Sequence, residues 1–272
     1  MKQFAAYGNL FPAVNENAFL YQWHNLHLQA NCALLAGRYE EAKKTALALK
    51  AAIDTSALSM PAPMGNYLQN LYMTDLFINV RYSKWDTILA IPQPAKHHVY
   101  ANILYHFARG MAYAAQNNFS SAEKEKTALQ SFMKDESLTI PIKPFSPVLE
   151  GARSAEELLS GFIYLKQNRL TDALTHLENA TQIEGNMTYA EPRDWMLSPK
   201  QYLGVAYLAS RKYSEAQKTF ESDLKVNADN IWSLYGLEQS FEKQQRKNEA
   251  AKVKAKLAKA SRQSDARPAT ML

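Results

Sequence analysis

The chain has a single cysteine, Cys32, among its 272 residues. One thiol excludes an internal disulfide and any zinc site built from several cysteines. Glycine and proline are also scarce, at 9 and 11 residues, which disfavours folds made of many short strands joined by tight turns. No segment approaches the roughly 18 uninterrupted apolar residues of a membrane-spanning helix. These absences favour an α-helical protein that folds in water.

The remaining composition is that of an ordinary globular chain. Hydrophobic residues make up 47% and charged residues 21%, which is too apolar for a disordered protein. Residues 1–13 carry one lysine and lack the apolar core of a secretory signal. Together with the lone cysteine, which needs no oxidising compartment, this predicts a cytoplasmic protein.

Positive charge is concentrated near the C-terminus. The formal net charge is +5, and residues 243–262 contain eight basic residues against one acidic residue, Glu249. The basic residues are Lys243, Arg246, Lys247, Lys252, Lys254, Lys256, Lys259 and Arg262. The rest of the chain is therefore slightly acidic, which disfavours nucleic acid as a partner of the whole domain.

One spacing recurs along the chain. In three segments a tyrosine follows a glycine by three residues, and an alanine follows the tyrosine by nine. These sets are Gly110, Tyr113 and Ala122; Gly161, Tyr164 and Ala173; and Gly204, Tyr207 and Ala216. Weaker copies keep the second spacing at Ala33/Ala42, Asn79/Ile88 and Phe241/Ala250. The spacing predicts antiparallel helix pairs in which the glycine lets the two helices approach each other closely. Glycine inside a helix costs about 1 kcal/mol relative to alanine, so its recurrence indicates that packing requires a missing side chain there.

These residues resemble the tetratricopeptide repeat, which combines a Trp-x2-Leu-Gly-x2-Tyr helix with an Ala-x3-Phe helix. The segment from Leu203 to Phe220 matches that pattern, the segment from Gly161 to Leu177 matches it well, and the earliest copy departs from it at Lys126. The resemblance covers residues 20–262. It implies an all-α fold: a right-handed solenoid of about five to six antiparallel helix pairs.

A narrower resemblance rests on five phrases that stand in order along the chain. They are YQWHNLHLQANCALLAGRYEEA (21–42), VRYSKWDTILAIPQP (80–94), YHFARGMAYAA (105–115), AEPRDWMLSPKQYLGVAYL (190–208) and FESDLKVNADNIWSLYGLEQSF (220–241). Together they are similar to the C-terminal half of long bacterial tetratricopeptide-repeat proteins. This implies either a truncated relative or a half that stands alone.

Proline-rich loops interrupt the predicted repeats. They span residues 54–66, 135–151 and 185–200. Insertions in repeat proteins collect on one face, often the binding face. Their aromatic residues Phe145, Tyr189 and Trp195 are therefore expected either to contact a partner or to cap grooves between repeats. We divide the chain into an N-terminal segment (1–19), the repeat domain (20–262, with a basic capping helix at about 243–262) and a disordered tail (263–272).

Catalytic and metal-binding patterns are missing. There is no Gly-x-Ser-x-Gly elbow, no phosphate-binding loop and no dinucleotide fingerprint, so we expect no catalytic residues and no cofactor. His24 and His27 share a helix face but lack a third ligand, so we expect no metal. Cys32 lies in an apolar stretch and is expected to pack as a small hydrophobe. The pairs Glu40-Glu41 and Glu156-Glu157 are expected at helix beginnings, where the helix dipole favours acids.

The resulting hypothesis is a non-enzymatic scaffold that binds a protein or peptide along a concave face formed by the first helix of each pair. In the repeat family, binding residues lie at set inner positions of these first helices, and the matching positions of this chain are mostly apolar. This predicts a groove that binds an apolar peptide or helix, or a groove filled by the protein's own segments. The expected partner-binding residues are His27, Asn31, Arg109, Trp195 and Gln201.

Two alternatives remain open. The first is an adaptor for acidic surfaces (phospholipid, nucleic acid or an acidic protein) that uses the exposed face of the C-terminal helix. Its expected contact residues are Lys247, Lys252, Lys256 and Lys259. The second is a fragment of a metal-dependent enzyme whose missing half supplied ligands.

Overall fold

The computed structural model describes residues 18–266, and all regular secondary structure in that range is helical. The α-helices are α1 (Ala18–Leu35), α2 (Tyr39–Ala52), α3 (Met64–Tyr72), α4 (Thr74–Arg81), α5 (Trp85–Ala90), α6 (Val99–Ala115), α7 (Phe119–Phe132), α8 (Val148–Lys166), α9 (Leu170–Asn186), α10 (Pro199–Ala209), α11 (Tyr213–Val226), α12 (Ile231–Lys243) and α13 (Lys247–Ala260). Within the described residues, no helix is both long and apolar enough to cross a membrane. The all-α prediction is confirmed.

Most of the chain is organised as helical hairpins. The two helices of a hairpin pack against each other, and α6, α8, α10 and α12 pack on neighbouring hairpins in chain order. The predicted basic capping helix corresponds to α13. Residues 1–17, which make up most of the predicted N-terminal segment, lie outside the described residues, as do residues 267–272 of the predicted tail.

Six hairpins share one turn geometry. In each turn the residue four positions after the tyrosine-equivalent position has a φ between 55° and 74°. These left-handed residues are Gly37, Ser83, Asn117, Asn168, Arg211 and Gln245. The next residue's N–H donates to the carbonyl five residues back at 2.8–3.0 Å, which is the Schellman pattern that ends helices. The copy at Asn79/Ile88, the most degenerate in sequence, therefore has the same turn as the others.

Gly161 and Gly204 make room for a large side chain from the second helix of their own hairpin, whereas a Cβ at Gly110 would meet Leu159 of the next hairpin. A Cβ atom at Gly161 would lie 2.6 Å from Leu177 Cγ, and one at Gly204 would lie 2.4 Å from Phe220 Cζ. Both distances are far below van der Waals contact. The predicted packing requirement for glycine at these positions is confirmed.

The first and last hairpins touch each other. Trp232 Nε1 in α12 donates to the carbonyl of Leu34 at the end of α1, at 3.0 Å. Asp265 accepts the N–H groups of Tyr39 and Glu40 at 2.5 and 2.9 Å, so it caps the N-terminus of α2. Residues 263–266, which we had assigned to a disordered tail, thus include a residue bound to α2.

Candidate functional site

The three proline-rich loops come together with the N-terminal part of α1 around one cavity. The loops are residues 53–63, 133–147 and 187–198, and we call the surface that they form the three-loop face. The cavity has a volume of about 320 Å³. Its apolar lining includes Leu20, Met64, Ile142, Phe145, Val148 and Met187. The sequence predicted that the insertions share a face, and the cavity lies where they meet.

A few polar side chains form the rest of the lining. Tyr67 and Asn70 come from α3, Tyr100 from the start of α6, and Asp194 from the third loop. Asn70 is only 6% exposed, and among the described residues its Oδ1 has no hydrogen-bond partner. A mainly apolar cavity with a small number of polar groups is the usual form of a ligand site.

The electrostatics of the cavity are acidic. Glu191 and Asp194 line it, whereas the described lining residues include no lysine or arginine. Burial raises the pKa of Asp194 to about 6. Burial, and after it the nearby Asp194, also raises the pKa of Tyr67 and Tyr100. At neutral pH the cavity therefore holds a carboxylate that is poorly hydrated.

His27 is the sequence-predicted residue that lines this cavity. It is buried, and its Nε2 lies 3.2 Å from the Met196 sulfur. Burial, with a smaller contribution from His24, lowers the pKa of His27 to about 4. The imidazole is therefore neutral at physiological pH and adds no positive charge to the cavity.

Exposed apolar side chains surround the cavity. Ile140 and Phe145 line it and remain 45% and 42% exposed, and Tyr189 on the third loop is 64% exposed. Met60 on the first loop is exposed as well. Clustering of large apolar groups on one surface marks an interaction site more strongly than isolated exposure does.

Trp195 and Gln201 are inside the molecule and cannot contact a partner in this conformation. The Trp195 indole is 1% exposed and packs edge-on against Phe77 and Phe107. Gln201 is fully buried, and its Nε2 donates to Asp223 Oδ2 at 2.9 Å. Of the two interpretations open for Trp195, burial favours the filling of a groove, and Gln201, which was predicted to contact a partner, is enclosed by the contacts between hairpins.

Arg109 is held in an ion-pair network. Its guanidinium donates to Glu125 Oε1 at 2.8 Å, to the Leu89 carbonyl at 3.0 Å and to the Tyr113 hydroxyl at 2.9 Å. His106 Nδ1 lies 2.6 Å from the second Glu125 oxygen. Burial alone would raise the pKa of Glu125, but hydrogen bonds from His106 and Arg109 outweigh it and lower the pKa. Arg109 therefore ties α5, α6 and α7 together, and its guanidinium is hydrogen-bonded within the fold.

Asn31 and the C-terminal lysines remain accessible. Asn31 in α1 is half-buried, and it lines a small cleft with Glu184 and Arg193. All four lysines of the acidic-surface hypothesis are exposed on α13. They are Lys247, Lys252, Lys256 and Lys259. Lys256 forms an ion pair with Asp229 at 3.0 Å.

Two smaller expectations were wrong. The Cys32 side chain is exposed and does not pack as a small hydrophobe. Glu156 and Glu157 lie in the middle of α8, although Glu40 and Glu41 do lie in the first turn of α2. Among the described residues, no three histidine, cysteine, aspartate or glutamate side chains lie close enough together to hold a metal ion.

Glu184, in the small cleft beside Asn31, is expected to limit stability at neutral and alkaline pH. It is 4% exposed, and burial raises its pKa to about 7, an increase that the nearby Arg193 only partly opposes. Because the folded state binds the proton more tightly than the unfolded chain, stability falls as pH rises from about 4.5 to 7. We expect Glu184→Gln to raise the free energy of unfolding by about 2–3 kcal/mol at pH 8 and to change it little at pH 4. Urea denaturation at both pH values measures this.

The exposed Glu215 provides the control for that measurement. Because its carboxylate is exposed in the first turn of α11, Glu215→Gln should change the free energy of unfolding by no more than about 1 kcal/mol at either pH. A pH-independent difference for Glu184→Gln would contradict the effect assigned to burial.

The chain was compared with protein-family models, curated proteins and solved structures, and none of them matches it. The function must therefore come from the site itself. Reasoning from the sequence located the loops but missed Tyr67, Asn70, Tyr100 and Asp194. Tyr67 and Asn70 follow the first loop on α3, Tyr100 lies at the start of α6, and no local sequence pattern marks them as lining residues.

Proposed function

We propose that the chain is a non-enzymatic, cytoplasmic scaffold of tetratricopeptide-like helix pairs that binds a protein partner through the three-loop face. The glycine–tyrosine–alanine spacing and the common turn of six hairpins support the resemblance to that repeat and the right-handed solenoid it implies. The contact surface differs from the concave face expected from the resemblance. It is the surface formed by the insertions.

The observation that carries this proposal is the convergence of three loops from separate parts of the chain. They bring Ile140, Phe145 and Tyr189 to the surface beside a cavity, while the inner positions of the helices are filled. Exposed aromatic and aliphatic residues next to a pocket are the usual anchors of a protein interface. A rigid helical array holds the loops in place, as in other proteins whose binding residues lie on loops.

The test compares two variants that each replace two apolar side chains of similar fractional exposure. One combines Ile140→Ser with Phe145→Ser on the three-loop face. The other combines Leu47→Ser with Val226→Ser, whose side chains are 48% and 44% exposed elsewhere. We expect a protein captured from a lysate of the source cells by the wild-type chain to be retained by the second variant. The first variant should bind it about tenfold more weakly, because interface anchors contribute at least that much.

Equal capture by both variants would contradict the proposal. Helicity and melting temperature, measured by circular dichroism, must be the same for the two variants, which ensures that a loss of binding is a loss of contact. Substitution of exposed side chains should leave the fold intact.

The exposure of Lys252 and Lys259 on α13 favours a second candidate, an adaptor for acidic surfaces. Because the outer face of α13 is exposed in the described part of the chain, solvation of that face also accounts for its lysines. If capture instead depends on these lysines and disappears with increasing salt, the contact belongs to α13.

A further inference from the structure

The polar groups of the cavity are arranged to receive a hydrogen-bond donor. Asp194 is an acceptor when ionised, and Asn70 Oδ1 is a buried acceptor without a partner among the described residues. A buried acceptor that no protein group satisfies is costly unless a ligand or water satisfies it. Tyr67 and Tyr100 add aromatic rings to the same lining. A donor entering this cavity would therefore satisfy groups that the fold leaves unsatisfied.

The charge of the cavity selects among donors. Its two carboxylates, Glu191 and Asp194, face no lysine or arginine in the described lining, and His24 and His27 are the other titratable side chains there besides the tyrosines. Because His27 is neutral at physiological pH, it does not offset the carboxylates. An anion would meet Asp194 in a poorly hydrated environment, which is strongly unfavourable.

The apolar part of the lining defines the rest of the ligand. Met64, Val148 and Met187 offer contact to an alkyl chain, and tyrosine rings attract cations over their faces. A volume of about 320 Å³ is at the small end of ligand pockets, which suits a single extended side chain or a small molecule.

We propose that the cavity receives an organic cation, an ammonium group on an apolar stem, with Asp194 and Asn70 as its acceptors. The inference rests on the proposed function in that it names what enters the cavity of the three-loop face. The ammonium comes either from a lysine side chain of the bound protein or from a free amine. Both share the same recognition chemistry.

The test uses hexylammonium as the probe, with 1-hexanol and hexanoate as neutral and anionic ligands of similar size. The full chain, labelled with ¹³C in its methionine methyl groups, is titrated with each ligand at about pH 8, where the amine is protonated. We expect hexylammonium to shift the resonances of Met64 and Met187, which line the cavity, and to leave that of the buried Met111 unchanged. Hexanol should bind about tenfold more weakly, and hexanoate should not bind.

Two substitutions then assign the effect to Asp194. Asp194→Asn should weaken hexylammonium binding about tenfold, to the level of hexanol, because it removes the charge and keeps the shape. Asp172→Asn alters an exposed carboxylate outside the cavity and should leave binding unchanged. The proposal is overturned if hexanol binds the wild-type chain as tightly as hexylammonium does, or if Asp194→Asn has no effect. The comparison of ligands on the wild-type chain stands even if a variant folds poorly.

The source of the ammonium is determined with the peptide acetyl-Leu-Lys-Leu-amide and its Nε-acetylated form. Tighter binding of the free-lysine peptide than of hexylammonium upholds the proposal with a protein lysine as the source. If hexylammonium binds and the peptide does not, the proposal is upheld and the source of the ammonium is a free amine. If no ammonium ligand binds, while the Ile140→Ser and Phe145→Ser variant still loses the captured partner, this inference fails and the scaffold proposal stands.

Discussion

Trp195→Ala is expected to lower the free energy of unfolding by about 3–5 kcal/mol. The indole is 1% exposed, and its ring centroid lies 5.0 Å from that of Phe77 and 5.2 Å from that of Phe107, in edge-on arrangements. These contacts hold the third loop against α4 and α6, so the substitution leaves a cavity in the core and frees the loop. Urea denaturation followed by circular dichroism measures the loss.

The same loop provides a control for this prediction. Tyr189 is also aromatic, but it is 64% exposed. Tyr189→Ala should change the free energy of unfolding by no more than about 0.5 kcal/mol, because an exposed side chain loses little burial. Similar losses for the two variants would show that the loop is not anchored by Trp195.

Asp223→Ala is expected to cost a similar amount, about 3–5 kcal/mol, for a polar reason. Asp223 in α11 is 1% exposed and accepts hydrogen bonds from five side chains, at 2.5–3.2 Å. The donors are Ser198, Gln201, Asn227, Asn230 and Ser233. They come from α10, α12 and the segments that flank these helices, so removing the acceptor leaves buried donors unsatisfied at the junction of three helices.

An exposed aspartate serves as the comparison for Asp223. Asp172 forms an ion pair with Arg169 within one turn of helix, and both side chains are about half exposed. Asp172→Ala should cost about 0–1 kcal/mol, as exposed ion pairs do. The assigned role of Asp223 would be wrong if its substitution cost no more than that of Asp172, as measured by the same denaturation experiment.

The hairpins could be predicted from the sequence because their determinants are local. The turn lies four residues after the tyrosine-equivalent position, and the glycine that accepts Phe220 or Leu177 lies three residues before the tyrosine. A helix-ending turn needs only one residue with a left-handed backbone conformation. Ser83 and Arg211 adopt this conformation, and so does Gly37. Degenerate copies therefore keep the geometry after the sequence signature has faded.

The accessible surface could not be predicted in the same way. The hydrogen bond from Trp232 to Leu34 joins residues 198 positions apart, and no periodicity indicates that the two ends of the array meet. For Trp195 the sequence left two interpretations open, partner contact and groove filling, and burial decides for the second. The repeat geometry predicts Gln201 as a partner contact, whereas in the fold its Nε2 donates to Asp223, 22 residues later.

The cavity could be predicted from the sequence in part. Its walls were predictable in kind, because proline-rich insertions between repeats tend to share a face. Its polar chemistry was not, since nothing local indicates that Asn70 of α3 faces the cavity, and Tyr100 lies in a helix that the loops reach only in three dimensions. A carboxylate such as Asp194 becomes informative only once its burial is known, because burial is what raises its pKa.

The contact between the three-loop face and its partner is tested most directly by photo-crosslinking. A photoreactive phenylalanine derivative is placed at position 145 in one full-length chain and at position 226 in another, where the exposed valine ends α11 and is not among the residues that line the cavity. We expect the captured protein to crosslink from position 145 and not from position 226. Binding of the partner without a crosslink from position 145, or with an equal yield from position 226, would contradict it.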